Sequence, residues 1–116
     1  MSTTLAQQHC QPCVIGTRPL SSDEVERVLP SIGRWKKVQV DGVERIQRDY
    51  HFRDFREAFT FAYKIAALAE RENHYPGLTV EWGMTRVCWW TDKVNGLHMN
   101  DFIMAAKTDA LITRTD

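Results

Sequence analysis

The chain has 116 residues, a length that suits one domain, and 43% of them are hydrophobic, which is ordinary for a globular fold. Its 15 basic residues balance 15 acidic ones, so no net charge draws it to nucleic acid or to a membrane surface. No apolar run approaches the roughly 18 residues of a membrane helix, and the first residues lack the pattern of a secretory signal, so we expect a cytoplasmic protein.

The first 20 residues are polar and irregular, and they predict a mobile arm at 1–20 ahead of a folded domain at 21–116. Cys10 and Cys13 form a Cys-x-x-Cys pair after His9. No second pair of ligands follows at the spacing of a zinc site, and neither flank has the regular structure of a redox motif. The pair therefore predicts no metal, and we expect residues 1–18 to be dispensable for folding.

The first half of the domain predicts a short helix followed by a hairpin. Ser21 and the two acids after Ser22 are typical of a helix start, and Pro30 ends the helix. Two β-prone runs, 35–40 and 43–52, are joined by Asp41-Gly42, which tolerates the positive φ angles of a two-residue turn. In the second run, Arg48 interrupts an otherwise apolar face, which suggests a place near the sheet edge.

Residues 54–72 hold the strongest helical periodicity of the chain. Asp54 is in position to cap this helix, and Pro76 prevents it from continuing. One face is expected to cover a sheet while the other meets a neighbouring subunit. The predicted stripe consists of Phe55, Ala58, Phe59, Ala62, Ile65, Ala66 and Ala69.

A second hairpin and a last helix complete the prediction. Strands at 78–82 and 85–91 are expected to meet at a Gly83-Met84 turn, with glycine in the first turn position. A loop at 92–96 leads into a helix at about 99–113. The order α-β-β-α-β-β-α predicts an α+β domain in which helices cover a four-stranded antiparallel sheet.

One set of separated residues resembles the signature of the pterin-4a-carbinolamine dehydratases. It comprises Glu70, His74, Pro76, Trp82 and Asp101. Tyr75 and Asp92 stand where the family usually has two further histidines. The resemblance covers about residues 20–113 and implies loss of water from a 4a-hydroxytetrahydropterin, which recycles the cofactor of aromatic amino acid hydroxylases.

This reaction needs an acid for the departing hydroxyl and a base for the N5 proton, and histidine titrates in the useful range. His74 is the leading candidate, and Glu70, four residues earlier, is expected to contact and orient its ring. A helix-terminal histidine that only meets backbone carbonyls is the competing interpretation. Tyr75 and Asp92 complete the catalytic set, Asp92 as a carboxylate that holds an N–H edge of the pterin. Asp101 fits a helix-start acid better than a catalyst.

We expect Glu70, Pro76, Trp82 and Trp90 to bind the substrate, with the two indoles along its flat ring. No cluster has the spacing of a metal site, and no resident cofactor is expected. Tryptophan in an oligomer core is the alternative for Trp82 and Trp90. Partners would be the pterin, further copies of the chain in a dimer or tetramer, and a hydroxylase. The competing function is a catalytically weakened binding or assembly protein, such as a RuBisCO assembly factor in a carboxysome or a dimerisation cofactor.

Overall fold

A computed structural model describes residues 4–12 and 16–112 and shows an α+β domain. The helices and strands follow the predicted order, and the four strands form one antiparallel sheet in the order β1-β2-β4-β3. Their bounds are α1 (Ser22–Val28), β1 (Lys36–Val40), β2 (Val43–His51), α2 (Phe55–Glu72), β3 (Gly77–Glu81), β4 (Met84–Trp89) and α3 (Met99–Ala110). The predicted fold class and element order are confirmed, and the expected last residue of the final helix, 113, lies outside the described residues.

The two hairpins turn at glycines, but in different ways. Asp41 and Gly42 both have positive φ, 52° and 80°, as the predicted two-residue turn requires. In the second hairpin Glu81 pairs with Met84, so the turn residues are Trp82 and Gly83. The predicted Gly83-Met84 turn is therefore wrong by one residue, because the positive φ of 76° is needed at the second turn position.

Helix α2 begins where Asp54 accepts a hydrogen bond from the Glu57 N–H at 2.9 Å and ends at Asn73, which has a left-handed φ of 60°. Its buried face is rotated from the predicted stripe, because the sheet contacts a neighbouring set of side chains. The buried residues are Ala58, Phe61, Ala62, Ile65, Leu68 and Ala69. Phe55, Phe59 and Ala66 of the predicted stripe are exposed instead.

Arg48 lies on the central strand β2 and not at the sheet edge, which corrects the prediction. Its guanidinium binds the Asp109 carboxylate of α3 at 2.7 Å and lies over the Tyr50 ring. Asp109 also accepts hydrogen bonds from the Trp35 indole and the Tyr50 hydroxyl. A charged residue is tolerated on the inner face because α3 supplies its counter-charge.

The core lies between one face of the sheet and helices α2 and α3. Ile46 and Trp89 from the sheet are fully buried there, as are Ile65 of α2 and Phe102 of α3. Residues 4–12 also pack against the domain, with a short 3₁₀ helix (Leu5–Gln7) beside α3. Among the described residues, no helix combines the length and apolar character needed to cross a membrane.

Candidate active site

A pocket of about 540 Å³ opens where α2 ends, β4 leaves the sheet and α3 begins. Four of the seven residues predicted as catalytic or substrate-binding line it together. These are His74, Tyr75, Trp90 and Asp92. The structure therefore brings most of the predicted site to one place.

The end of α2 positions His74 in this pocket. Asn73 leaves the helical conformation, and the His74 N–H still donates to the Ala69 carbonyl at 3.2 Å. The imidazole stacks on the buried Trp89 indole, with ring centres 5.7 Å apart and planes inclined by 10°. About 13% of the His74 side chain remains exposed, so the ring is held firmly and still reaches the pocket.

The partner of His74 is Asp101, whose side chain is fully buried. Oδ1 of Asp101 lies 2.7 Å from His74 Nε2, and Oδ2 accepts from the Thr91 hydroxyl at 2.8 Å and from the His98 N–H at 2.9 Å. Because a carboxylate only accepts, Nε2 must carry the proton. In the neutral ring Nδ1 is then the nitrogen without a proton, the atom that can accept one.

The predicted contact between Glu70 and His74 is not formed. A contact four residues along a helix requires both residues to be helical, and Asn73 ends α2 before His74. Glu70 Oε1 instead lies 3.3 Å from the Tyr75 hydroxyl. Partial desolvation and then the Glu70 carboxylate raise the pKa of Tyr75, so its phenol stays protonated near neutral pH and serves as a hydrogen-bond donor.

Asp92 is held at the rim of the pocket by Trp90. The indole Nε1–H of Trp90 donates to Asp92 Oδ1 at 2.7 Å. The Arg45 guanidinium lies 3.8 Å from the centre of the Trp90 ring, and a Cβ at Gly77 would come within 3.1 Å of that ring. Gly77 thus leaves room for the indole, and the indole fixes the carboxylate.

The remaining predicted residues lie elsewhere. Glu70 and Pro76 flank the pocket without lining it, and Glu70 reaches it only through Tyr75. Trp82 is 74% exposed at the β3–β4 turn and lines a different depression, of about 780 Å³, with Phe52 and Phe55. Within one chain, therefore, Trp82 and His74 do not meet.

Sequence reasoning missed two features of the pocket. Asp101 is a first-turn acid of α3, as predicted, but the same carboxylate also binds His74 from 27 residues away. Residues 10–12 of the arm and Asn100 line the pocket as well. The only local signal was Asp101 three residues after His98, the spacing of a capping box, and it does not reveal the contact with His74.

A family model described as pterin 4 alpha carbinolamine dehydratase matches residues 18–111. The chain belongs to this family. A protein of Syntrophotalea carbinolica named "Putative pterin-4-alpha-carbinolamine dehydratase" is 44% identical over 93% of this chain and 96% of its own length. A protein of Chlorobium luteolum with the same name is 50% identical over 92% of this chain and 94% of its own length.

A solved structure supports the same dehydratase fold. It is a crystal structure of a transcriptional coactivator/pterin dehydratase from Brucella melitensis, 33% identical, with a TM-score of 0.72 over 80% of this chain and 97% of its own. Within residues 4–12 and 16–112, no group of three or more His, Cys, Asp or Glu side chains is arranged to hold a metal ion. Cys13, the second member of the arm's cysteine pair, lies outside those ranges.

Proposed function

We propose that this member of the dehydratase family removes water from a 4a-hydroxytetrahydropterin to give the quinonoid dihydropterin, with His74 as its acid/base. The observation that carries the proposal is the His74–Asp101 pair at the pocket. A buried carboxylate 2.7 Å from Nε2 leaves Nδ1 as the proton acceptor. A general base is typically oriented by such a carboxylate. A helix-terminal histidine that only contacts backbone carbonyls would not require one.

In the proposed reaction, one atom, His74 Nδ1, carries the proton. His74 Nδ1 accepts the N5 proton of the substrate, the C4a–O bond breaks as the N5–C4a double bond forms, and the hydroxyl leaves as water after receiving a proton. The imidazolium can return its proton to that hydroxyl, so the ring ends as it began. Such proton transfer contributes about 10²–10⁴-fold to a rate.

Tyr75 and Asp92 take complementary binding roles in this proposal. The Tyr75 hydroxyl directs its one proton to Glu70, so it offers the pterin its oxygen as a hydrogen-bond acceptor, and its raised pKa keeps that proton in place near neutral pH. The Asp92 carboxylate, fixed by the Trp90 indole, accepts from an amino or ring N–H of the pterin. Trp90 supports the ligand through Asp92, while Glu70 supports it through Tyr75.

The test is a dehydration assay on 4a-hydroxytetrahydropterin with purified protein. We expect wild-type protein to accelerate the reaction and His74→Ala to lower kcat by about 10²–10⁴-fold. His51→Ala is the matched control, because His51 is exposed at the end of β2 and away from the pocket. Equal rates for wild-type protein and buffer would refute the proposal, as would equal rates for wild-type protein and a folded His74→Ala variant.

We also propose that the chain self-associates through the outer face of α2. Phe55, Phe59 and Tyr63 recur every four residues and are 48%, 55% and 69% exposed, and the rings of Phe55 and Phe59 stack 6.4 Å apart. Trp82 lies in the same depression as Phe55. We therefore assign Trp82 to this interface and not to substrate binding. An exposed aromatic row of this kind is typical of an interaction surface.

The same row favours the second candidate function, a binding or assembly role with little turnover. The Brucella relative is described as a transcriptional coactivator/pterin dehydratase, a description that names both kinds of function. Dehydration rate and partner binding, measured on wild type and His74→Ala, distinguish the two functions. If wild-type protein leaves the dehydration rate unchanged and a partner protein binds equally to wild type and His74→Ala, the binding role replaces the enzymatic one.

A further inference from the structure

The N-terminal arm is anchored to the end of α2 and to α3 by specific hydrogen bonds. The Cys10 N–H donates to Glu72 Oε1 at 3.1 Å, and His9 Nδ1 lies 3.1 Å from Glu72 Oε2. The Lys107 ammonium donates to the Ala6 carbonyl at 2.9 Å. Only about 11% of the Glu72 side chain is exposed, so the arm covers the carboxylate that binds it.

Asn100 holds the next residue of the arm from the other side. The Gln11 N–H donates to Asn100 Oδ1 at 2.9 Å, and Asn100 Nδ2 donates to the Gln11 carbonyl at 2.7 Å. These two bonds join one side-chain amide to the main chain of one residue, as a neighbouring strand would. Asn100 is 3% exposed and directly precedes Asp101, so the arm is tied to the turn of α3 that holds His74.

Residues 10–12, the N-terminal wall, line the same pocket as His74, Trp90 and Asp92. We propose that this wall is part of the pterin-binding site and that Asn100 and Glu72 are the positioning residues that hold it there. This inference rests on the proposed function, since the ligand of the wall is the pterin of that reaction. The sequence alone predicts only a mobile arm for these residues. The Gln11 N–H and carbonyl hold the wall in place, because both are already bonded to Asn100.

Removing the wall should weaken pterin binding more than it slows the chemical step. The wall lines one side of the pocket with Cys10, Gln11 and Pro12, which gives a flat ligand more surface to contact. His74 and Asp101 keep their mutual hydrogen bond without it, since no atom of the wall takes part in that bond. The expected signature is a raised KM with a smaller change in kcat.

The experiment compares a variant lacking residues 1–12, the point variant Asn100→Ala and the control Gln7→Ala. Gln7 belongs to the same arm but is exposed, and its side chain accepts only from the Thr4 N–H among the bonds described for it. Binding of 7,8-dihydrobiopterin is followed by quenching of tryptophan fluorescence, and KM and kcat come from the dehydration assay. We expect Kd and KM to rise about tenfold, equivalent to about 1.4 kcal/mol, in the first two variants and to stay unchanged in Gln7→Ala.

Alkylation of Cys10 by iodoacetamide, located by mass spectrometry, provides an independent readout. The pterin should slow alkylation of Cys10 and leave that of Cys88, on β4 outside the pocket lining, unchanged. Without pterin, Asn100→Ala should speed alkylation of Cys10 by releasing the arm. Thermal unfolding of each variant identifies any that fail to fold. If the truncated chain does not fold, Asn100→Ala alone tests the inference.

The outcomes separate this inference from the function on which it rests. If the full chain binds pterin and both variants bind it equally well, the wall has no role in binding and the inference is overturned while the function stands. If the full chain binds no pterin, both the proposed function and the ligand-binding role of the wall are refuted. Equal Cys10 alkylation in wild type and Asn100→Ala would also overturn the positioning role of Asn100.

Discussion

Replacing Asp101 by asparagine tests the centre of the proposed mechanism. The carboxylate accepts three hydrogen bonds, one at Oδ1 from His74 and two at Oδ2 from Thr91 and His98. An asparagine has one oxygen, and it keeps more bonds if that oxygen remains with Thr91 and His98. Its NH₂ group then faces His74, which must accept through Nε2 and carry its proton on Nδ1.

The variant should therefore lose its base while keeping its fold. With the proton on Nδ1, the neutral ring can no longer accept the N5 proton there, and we expect kcat to fall by about 10²–10⁴-fold. The asparagine NH₂ group has a second N–H besides the one that His74 accepts. Left without an acceptor at this fully buried site, it lowers the free energy of unfolding by about 1–3 kcal/mol. The measurements are kcat, urea unfolding, and the His74 tautomer from nitrogen chemical shifts by NMR.

The matched control for Asp101→Asn is Thr85→Val. Thr85 is fully buried, and its hydroxyl donates to the Ala58 carbonyl at 2.6 Å, away from the pocket. Its loss should cost about 1 kcal/mol of stability and leave kcat unchanged. The reasoning is refuted if Asp101→Asn moves the proton to Nδ1 and yet turns over at the wild-type rate, or if both variants lose activity equally.

Three further predictions use other parts of the molecule. Tyr75→His combined with Asp92→His should raise kcat, since groups that titrate near neutrality replace a phenol of raised pKa and a fixed carboxylate; an unchanged rate in the dehydration assay would contradict this. Phe59→Glu should shift the protein from oligomer to monomer in light scattering, and a wild-type protein that is already monomeric at micromolar concentration would rule out the α2 interface. Burial acts to raise the pKa of Glu72, but hydrogen bonds from Cys10 and His9 and the nearby Lys107 charge lower it overall. Because the folded pKa lies below the ordinary value of 4.5, the stability from Glu72 is complete above pH 4.5 and is lost as the pH falls through the lowered value. The difference in unfolding free energy between wild type and Glu72→Gln should follow this course, and a difference independent of pH would contradict it.

The sequence and the structure make different predictions for deletion of the arm. The polar, irregular sequence of the arm predicts that residues 1–18 are dispensable for folding, whereas the hydrogen bonds to Glu72 and Asn100 predict a loss of pterin affinity on deletion. A sequence without periodic apolar positions shows only that a segment forms no regular element of its own. It does not show whether another element supplies donors and acceptors for its backbone.

The element order was determined by the sequence alone, because its signals are local. The Asp41-Gly42 turn, the Asp54 cap and the stop before Pro76 each depend on neighbours within about four residues, and each is present in the structure. The family resemblance likewise located His74, Tyr75 and Asp92, which the fold brings to one pocket.

Only the tertiary structure decided which side chains meet across elements. The partner of His74 is Asp101 and not Glu70, because Asn73 turns the chain out of α2 and packing places the start of α3 beside the imidazole. The buried face of α2 was decided in the same way, since a helix with apolar residues on more than one side acquires an inner face only from the sheet it packs against. Contacts between residues 27 or 89 positions apart leave no periodicity in the sequence, so neither the His74–Asp101 contact nor the Asn100–Gln11 anchor could be recognised from it.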